Sequence, residues 1–350
     1  MFDSDEGDVA QCAFPGVDAR IETRVELLFA CRYAQLTTGA AMTLFGQVAD
    51  DSAVTRTLLP LSIRLRQTIA DATVRLPARV LMRDGKALNV LQGGNGLVSC
   101  LLVHGFAENC HVWAPCVSST EALVRSVAVD LRGHGDSDWD ISSHYNVDTY
   151  ASDVNDLLNL LGSGRHVLIG HSLGAEVLTH LTASHPEKVA ALVLVDFGPN
   201  LSSDAKQRTR ELIFESQRCY RTVAEYAQWL AETRPLVSSE LVQHLAANSL
   251  RQTDAGFRLK IDPALLDEVE TCSPQDESEL WQILSAIECP VLVIRGAGSA
   301  MLSRESALRM QRILRNGRLV TVPAAGHGVM MDNPAGFNQA MIDFLRTFPH

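Results

Sequence analysis

The chain has no cysteine pair at Cys-x-x-Cys spacing, no apolar run that reaches about 18 residues, no basic stripe, and few lysines. Each absence excludes something. The eight cysteines, Cys12, Cys31, Cys100, Cys110, Cys116, Cys219, Cys272 and Cys289, are scattered, so they read as reduced thiols and not as a thiolate metal site. The first residues, "MFDSDEGDVAQC", are acidic and lack the basic and apolar regions of a secretory signal, so a soluble, cytoplasmic protein is expected. Lys and Arg number 30 against 41 Asp and Glu, a net charge of −11, which leaves no surface to neutralise phosphates and excludes nucleic acid as a partner. The acidic start and scarce lysines argue equally against an amphipathic membrane anchor. There is no internal repeat and no low-complexity tract.

What is present is a large apolar complement, 46% of the 350 residues, enough for one large α/β domain with an insertion or for two modest domains. Between residues 19 and 75, apolar positions such as Val25, Leu28 and Phe29, then Leu58, Leu61 and Leu65, recur at three or four, which predicts two helices. From Pro77 the pattern changes. "ARVLMRDGKALNVLQGG" reads as two strands joined at Asp84-Gly85, and "LVSCLLVHG" as a continuous apolar strand. Apolar strands and helices then alternate through "SVAVDLRGHG", "HVLIG", "VAALVLVD", "CPVLVIRG" and "RLVTVP", which predicts an α/β fold: a mostly parallel sheet with helices on both faces. The alternation stops between about Phe197 and Ile287, where successive helical patterns predict an insertion without strands, placed to cover a site at the strand ends. The expected organisation is an N-terminal helical extension over 1–76, a core over 77–197 and 287–350, and a helical cap over 198–286.

Three segments carry chemistry. In "VLIGHSLGAEV", Gly170-His171-Ser172-Leu173-Gly174 lies between a strand and a helix, where a serine hydroxyl is projected by a strained turn and the flanking glycines remove side chains that would collide. In "LLVHGFAENCHVW", a strand ends at His104-Gly105-Phe106, and the amides of Phe106 and Leu173 could receive a developing oxyanion. In "VPAAGHGVMMDNP", His327 follows the last strand in a glycine-flanked loop, the place for a mobile general base. His104 reads as structural, and His171 as shaping the elbow or the pocket. Trp113, Trp139, Phe197 and Trp229 are candidates for an apolar pocket, or simply for core.

Taken in order, His104-Gly105-Phe106, "DLRGHGDSD", "GHSLG", "LVLVDFGP" and "AGHGVMMDNP" resemble the capped branch of the α/β-hydrolase superfamily over about residues 78–348. The resemblance implies an eight-stranded sheet, with a nucleophile after the fifth strand, an acid after the sixth or seventh and a histidine after the eighth. It assigns Asp130, Arg132 and His134 to a loop that shapes the fold. Many relatives end the seventh strand in a pattern like Gly-x-x-Asp, but here those registers hold Ser299 and Ala300, and no carboxylate lies between Gly296 and Arg304. The resemblance also offers the end of the sixth strand, where Asp196 stands one helix, one loop and one strand after Ser172. Asp332, Asp262 and Glu288 rank behind it, and a dyad or a lost acid stays open.

The leading expectation is a serine hydrolase of a small apolar ester or lactone, with Ser172 as nucleophile, His327 as base, Asp196 as acid and the Phe106 and Leu173 amides as oxyanion donors. No cofactor and no metal are expected. Carbon–carbon bond hydrolysis, lyase or cyclase chemistry on the same residues is the first alternative, and a non-catalytic ligand-binding protein the second. The N-terminal helices are expected to dock on the body, to form a homo-oligomer contact, or to narrow the entrance.

Overall fold

The computed structural model describes residues 77–200, 203–268 and 275–348. The two N-terminal helices, the extension over 1–76 and any oligomer contact through it lie outside the described residues. The chain enters through β1 (Pro77–Leu81) and β2 (Ala87–Gly93), an antiparallel pair whose turn has Gly85 at φ 84°, as the Asp84-Gly85 signal predicts. It continues through β3 (Val98–Val103), a 3-10 turn (Cys110–Trp113), α1 (Ala114–Thr120), β4 (Val124–Val129), α2 (Val147–Leu161), β5 (His166–His171), α3 (Leu173–Ser184) and β6 (Val189–Val195). An insertion follows: α4 (Ser203–Ser216), α5 (Val223–Thr233), α6 (Ser239–Ser249), β7 (Leu250–Thr253), β8 (Gly256–Leu259), α7 (Leu265–Glu268) and α8 (Gln275–Ala286). The core resumes with β9 (Val291–Gly296), α9 (Arg304–Ile313), β10 (Gly317–Val322), α10 (Val329–Asp332) and α11 (Pro334–Leu345).

Eight strands form one sheet in the order β1-β2-β4-β3-β5-β6-β9-β10, in which only β2 runs against its neighbours. The central strands β5 and β9 are buried at every position, and β3 over its last four, so helices cover both faces and uniform apolar runs replace alternation. Edge strand β10 is mostly half-exposed.

The insertion is not wholly helical, which corrects the expectation of helices without strands. Leu250–Thr253 and Gly256–Leu259 form an antiparallel hairpin, turned at Asp254-Ala255, with Gly256 at φ 131°. Tyr220 exchanges both main-chain hydrogen bonds with Phe257, at 2.8 and 2.7 Å. Four-residue strands are too short to show a period of two, and the backbone partner of Phe257 lies far back along the chain.

The Asp130–Asp136 loop is built from buried charge. Asp130 accepts from the amides of Cys110 (2.6 Å) and Asp136 (2.9 Å) and from Asn89 Nδ2 (2.8 Å). Gly135 lies against it at φ 54°, where a Cβ would sit 2.1 Å from Asp130 Oδ2. Buried Arg132 binds Asp153 through two nitrogens (2.8 and 2.6 Å), Asp140 at 2.6 Å and Asp84 at 2.7 Å. Arg132→Ala would take the ion-pair partner from Asp153 and leave Asp140 only Lys86 Nζ, 3.6 Å away, with both carboxylates 4% exposed. It is expected to cost about 3–5 kcal/mol of stability in urea unfolding. A loss under about 1 kcal/mol, the range of a surface pair, would show that the cluster does not hold the loop.

Candidate active site

Strand register lines up the site. β3 pairs with β5 so that Val103 faces Gly170, β5 with β6 so that His171 faces Val195, β6 with β9 so that Val195 faces Ile294, and β9 with β10 so that Gly296 faces Val322. The residues just beyond these pairs, from Gly105 to Ser172, Asp196, Ala297 and Pro323, therefore form a row along the carboxyl edge. From β3 the order departs to β4 on one side and β5 on the other, a topological switch point where open α/β sheets bind ligands. Among the described residues, four of the five non-glycine residues at positive φ, Ala107, Ser172, Asp196 and Ala324, sit on this edge. Such backbone costs on the order of 1–3 kcal/mol per residue, so its concentration here marks loops held by their surroundings.

Ser172 has φ 50° and ψ −117°, between the last residue of β5 and the first of α3, and its amide donates to Val195 O at 3.2 Å. The glycines around it leave no choice of residue. A Cβ on Gly170 would lie 2.5 Å from the Ala175 amide nitrogen, and one on Gly174 would lie 2.3 Å from Val103 O. Gly105 is packed likewise, its missing Cβ 3.2 Å from Ser172 Cβ and 2.8 Å from His171 Nδ1. Phe106, Ser172, Leu173, Asp196 and His327 all line one cavity of about 1240 Å³.

Asp196 is fully buried and accepts three hydrogen bonds: from the Gly296 amide on Oδ1 (3.0 Å), and from His327 Nδ1 (2.9 Å) and the Ser299 hydroxyl on Oδ2. Ser299 has no freedom in this. Its Oγ already accepts from the Met301 and Leu302 amides, both at 3.1 Å, so its one proton is directed to Asp196. The loop is shaped by buried Arg295, which donates to the carbonyls of Ala297, Ser299 and Leu302. With Asp196 purely an acceptor, His327 carries its proton on Nδ1 and has the Nε2 lone pair free. Burial lowers the His327 pKa first, the charge on His171 lowers it further, and Asp196 opposes both.

The other carboxylates considered from the sequence are engaged elsewhere. Asp332 accepts from the Gly326 amide at 2.8 Å, Asp262 accepts from Tyr145 OH and the Ala264 amide, and Glu288 pairs with Arg315 at 2.6 Å on the surface. His104 is held through both ring nitrogens, to the Leu131 amide and Gly105 O.

Among the pocket candidates, Phe197 lines the cavity, Trp113, Trp139 and Trp229 stand away from it, and His171 lies behind the elbow with its ring bonded to Glu108 and to His327 O. Trp113 turns inward from its 3-10 turn onto Phe337 and has no exposed surface. Trp229 stacks on Tyr226 inside the insertion, with ring centroids 5.7 Å apart, and Trp139 lies under the Arg251 guanidinium. The walls come instead from helix α4 of the insertion, including Ile213 and Phe214, together with Leu280 and Met301. Two residues of the site have roles that the sequence does not disclose. Ser299 stands where a carboxylate was sought, and Glu108, three residues after Gly105, accepts from His171 Nδ1 at 2.8 Å and from the Gly105 amide at 2.9 Å. A carboxylate in the Gly-Phe-Ala-Glu run was the only available hint of the latter.

Among the described residues, no group of three or more His, Cys, Asp or Glu side chains could hold a metal ion, and no helix is long and apolar enough to cross a membrane. Residues 100–334 match the family described as alpha/beta hydrolase fold. The 2-(acetamidomethylene)succinate hydrolase of Mesorhizobium japonicum is 27% identical over 258 residues, covering 74% of this chain and 91% of that protein. The crystal structure of E-2-(acetamidomethylene)succinate hydrolase superposes with a TM-score of 0.71 at 25% identity, covering 78% of this chain and all of that one. Esterase Rv0045c of Mycobacterium tuberculosis is 27% identical, over 74% of this chain and 85% of its own length. A 2-hydroxy-6-oxononadienedioate/2-hydroxy-6-oxononatrienedioate hydrolase of Burkholderia vietnamiensis is also 27% identical, over 76% of this chain and 94% of its own. With the family matched over two-thirds of its length and hydrolases among its relatives, this chain belongs to the α/β-hydrolase fold family and is an enzyme of the hydrolase type.

Proposed function

We propose that the protein is a serine hydrolase of small, uncharged carboxylic esters or lactones. Ser172 Oγ attacks the carbonyl carbon while His327 Nε2 takes its proton, and Asp196 stabilises the imidazolium that forms. The amides of Phe106 and Leu173, both on the cavity wall beside Ser172, hold the oxyanion of the tetrahedral intermediate. His327 then returns the proton to the leaving alkoxide, and water repeats the sequence on the acyl-enzyme. The observation that carries this reading is the 2.9 Å contact from His327 Nδ1 to buried Asp196, opening on the same cavity as a serine held at φ 50°.

Charge in the cavity selects the substrate class. Asp148, Glu176, Glu211, Glu215 and Glu279 are on its wall against one guanidinium, Arg210, and His180. The relatives named for a succinate or a dioate act on dicarboxylates, which this wall would repel, so the ester reading is favoured over carbon–carbon cleavage of such acids. The insertion acts as a cap, because its helix α4 closes one side of the cavity.

The test is product analysis on a panel of chromogenic esters, with a fluorophosphonate to label the nucleophile. Turnover with release of one acid per alcohol, and one phosphonate per chain, is the expected result. No labelling of a folded protein would overturn the reading in favour of a binding protein. At equal acyl length, a neutral ester is expected to exceed one ending in a free carboxylate by about tenfold in kcat/KM, a gap that narrows with salt. Equal or reversed rates would remove the charge selection.

A further inference from the structure

Glu108 and His171 lie at the centre of the site without touching the cavity. The Glu108 side chain is 7% exposed and that of His171 1%. His171 Nε2 faces the carbonyl oxygen of His327 at 3.0 Å, and a carbonyl carries no proton, so Nε2 must donate. His171 Nδ1 faces Glu108 Oε2 at 2.8 Å, and that oxygen also accepts from the Gly105 amide. Arg234, beyond the end of α5 in the insertion, lies 3.8 Å from the other oxygen, Oε1. With an ionised Glu108, both His171 nitrogens are protonated and the ring is an imidazolium, its centroid 4.6 Å from that of His327.

We infer that Glu108 and His171 form a buried positioning pair that ties the Gly105 loop, the Ser172 elbow and the His327 loop together and keeps a positive charge beside the base. The inference rests on the serine-hydrolase reading of the same site. The connections run through single atoms. One carboxylate oxygen holds the loop that presents the Phe106 amide, and the ring between Gly170 and Ser172 holds the backbone of the base. Glycine at 105 suits this packing, since a Cβ there would lie 2.8 Å from His171 Nδ1 and 3.1 Å from Glu108 Oε2. Burial by itself would neutralise both groups. Their mutual attraction and hydrogen bond prevail, holding Glu108 well below the usual carboxylate range and raising His171.

The charged groups around His327 are Asp196 after β6, His171 on β5, Glu108 after β3, Asp332 on α10 and Arg234 from the insertion. Burial and then the charge on His171 oppose the imidazolium of His327 and outweigh Asp196 and Glu108, which favour it, so the base stays neutral, and active, to lower pH than an ordinary histidine. In Glu108→Gln the charge pair is replaced by neutral groups, and the nearer of the two lost charges is the positive one.

The full chain is assayed with a neutral chromogenic ester across pH. In Glu108→Gln the acid limb of kcat/KM is expected to move upward by about half a unit to one unit. The same variant is expected to lose about ten- to hundredfold in kcat with KM nearly unchanged, because the loops no longer share one register. An unmoved acid limb would overturn the inference even if kcat falls, since a purely structural defect does not retune the base. A second measurement needs no disruptive variant at all. In wild-type protein, 15N NMR of the histidine rings, with His171 assigned through His171→Gln, should show both of its nitrogens protonated at pH 7 to 8. A neutral His171 there would equally overturn it. Absence of ester turnover and of phosphonate labelling in the wild type would instead refute the serine-hydrolase reading, and the NMR result would still decide the pair.

Discussion

Ser172→Ala is expected to abolish phosphonate labelling and to lower kcat by about a millionfold, while the protein remains folded. Alanine fits the same backbone, because the elbow is imposed by Gly170, Gly174 and the hydrogen bond from residue 172 to Val195 O and not by the hydroxyl. What is lost is the atom that bonds to the acyl carbon, and nothing else in the cavity replaces it at that position. Residual rate above water would come from substrate binding and the two oxyanion amides alone. Intact-mass analysis after labelling and steady-state turnover on one neutral ester check this. Turnover within tenfold of wild type would mean that Ser172 is not the nucleophile.

Asp196→Asn is expected to lower kcat by about three to four orders of magnitude, with far less effect on KM. The hydrogen-bond inventory around the carboxylate explains why an isosteric change is so costly. The Gly296 amide, the Ser299 hydroxyl and His327 Nδ1 all donate to Asp196. An asparagine offers one acceptor oxygen and an NH2 group, so at least one donor is met by another donor. If the NH2 faces His327, the ring must accept on Nδ1 and carry its proton on Nε2, which prevents it from taking one from Ser172. If the NH2 faces Gly296, that buried amide loses its acceptor. Asp332→Asn is the control. Asp332 accepts from the Gly326 amide, which an asparagine oxygen can still satisfy, and kcat should stay within about threefold. The reverse ranking of these two variants would refute the assignment of Asp196.

The absent carboxylate after the sheet's seventh strand, β9, has a physical account in this geometry. Ser299 occupies one of the two registers that the resemblance offers for an acid, and its hydroxyl is committed to the carboxylate that stands one strand away. The two strand ends thus form a single unit, with Arg295 folding the β9 loop so that residue 299 meets Asp196.

Much of the molecule was legible in the residue order because it depends on local pattern. Uniform apolar runs predicted covered parallel strands, since a strand buried on both faces has no polar side to alternate with. The glycines at 170 and 174 marked a turn that tolerates no Cβ, and Asp84-Gly85 marked a hairpin. The short β7–β8 hairpin went unseen because four residues carry no periodicity, and Trp113 and Trp229 passed for pocket residues because apolar side chains look alike in core and cavity. What only the tertiary structure decided was which distant groups meet. Asp196 and His327 are 131 positions apart, Asp196 and Ser299 are 103 apart, and Glu108 and His171 are 63 apart. Those contacts follow from strand order and register, which are set by the packing of the whole sheet. No short stretch of the chain contains that information.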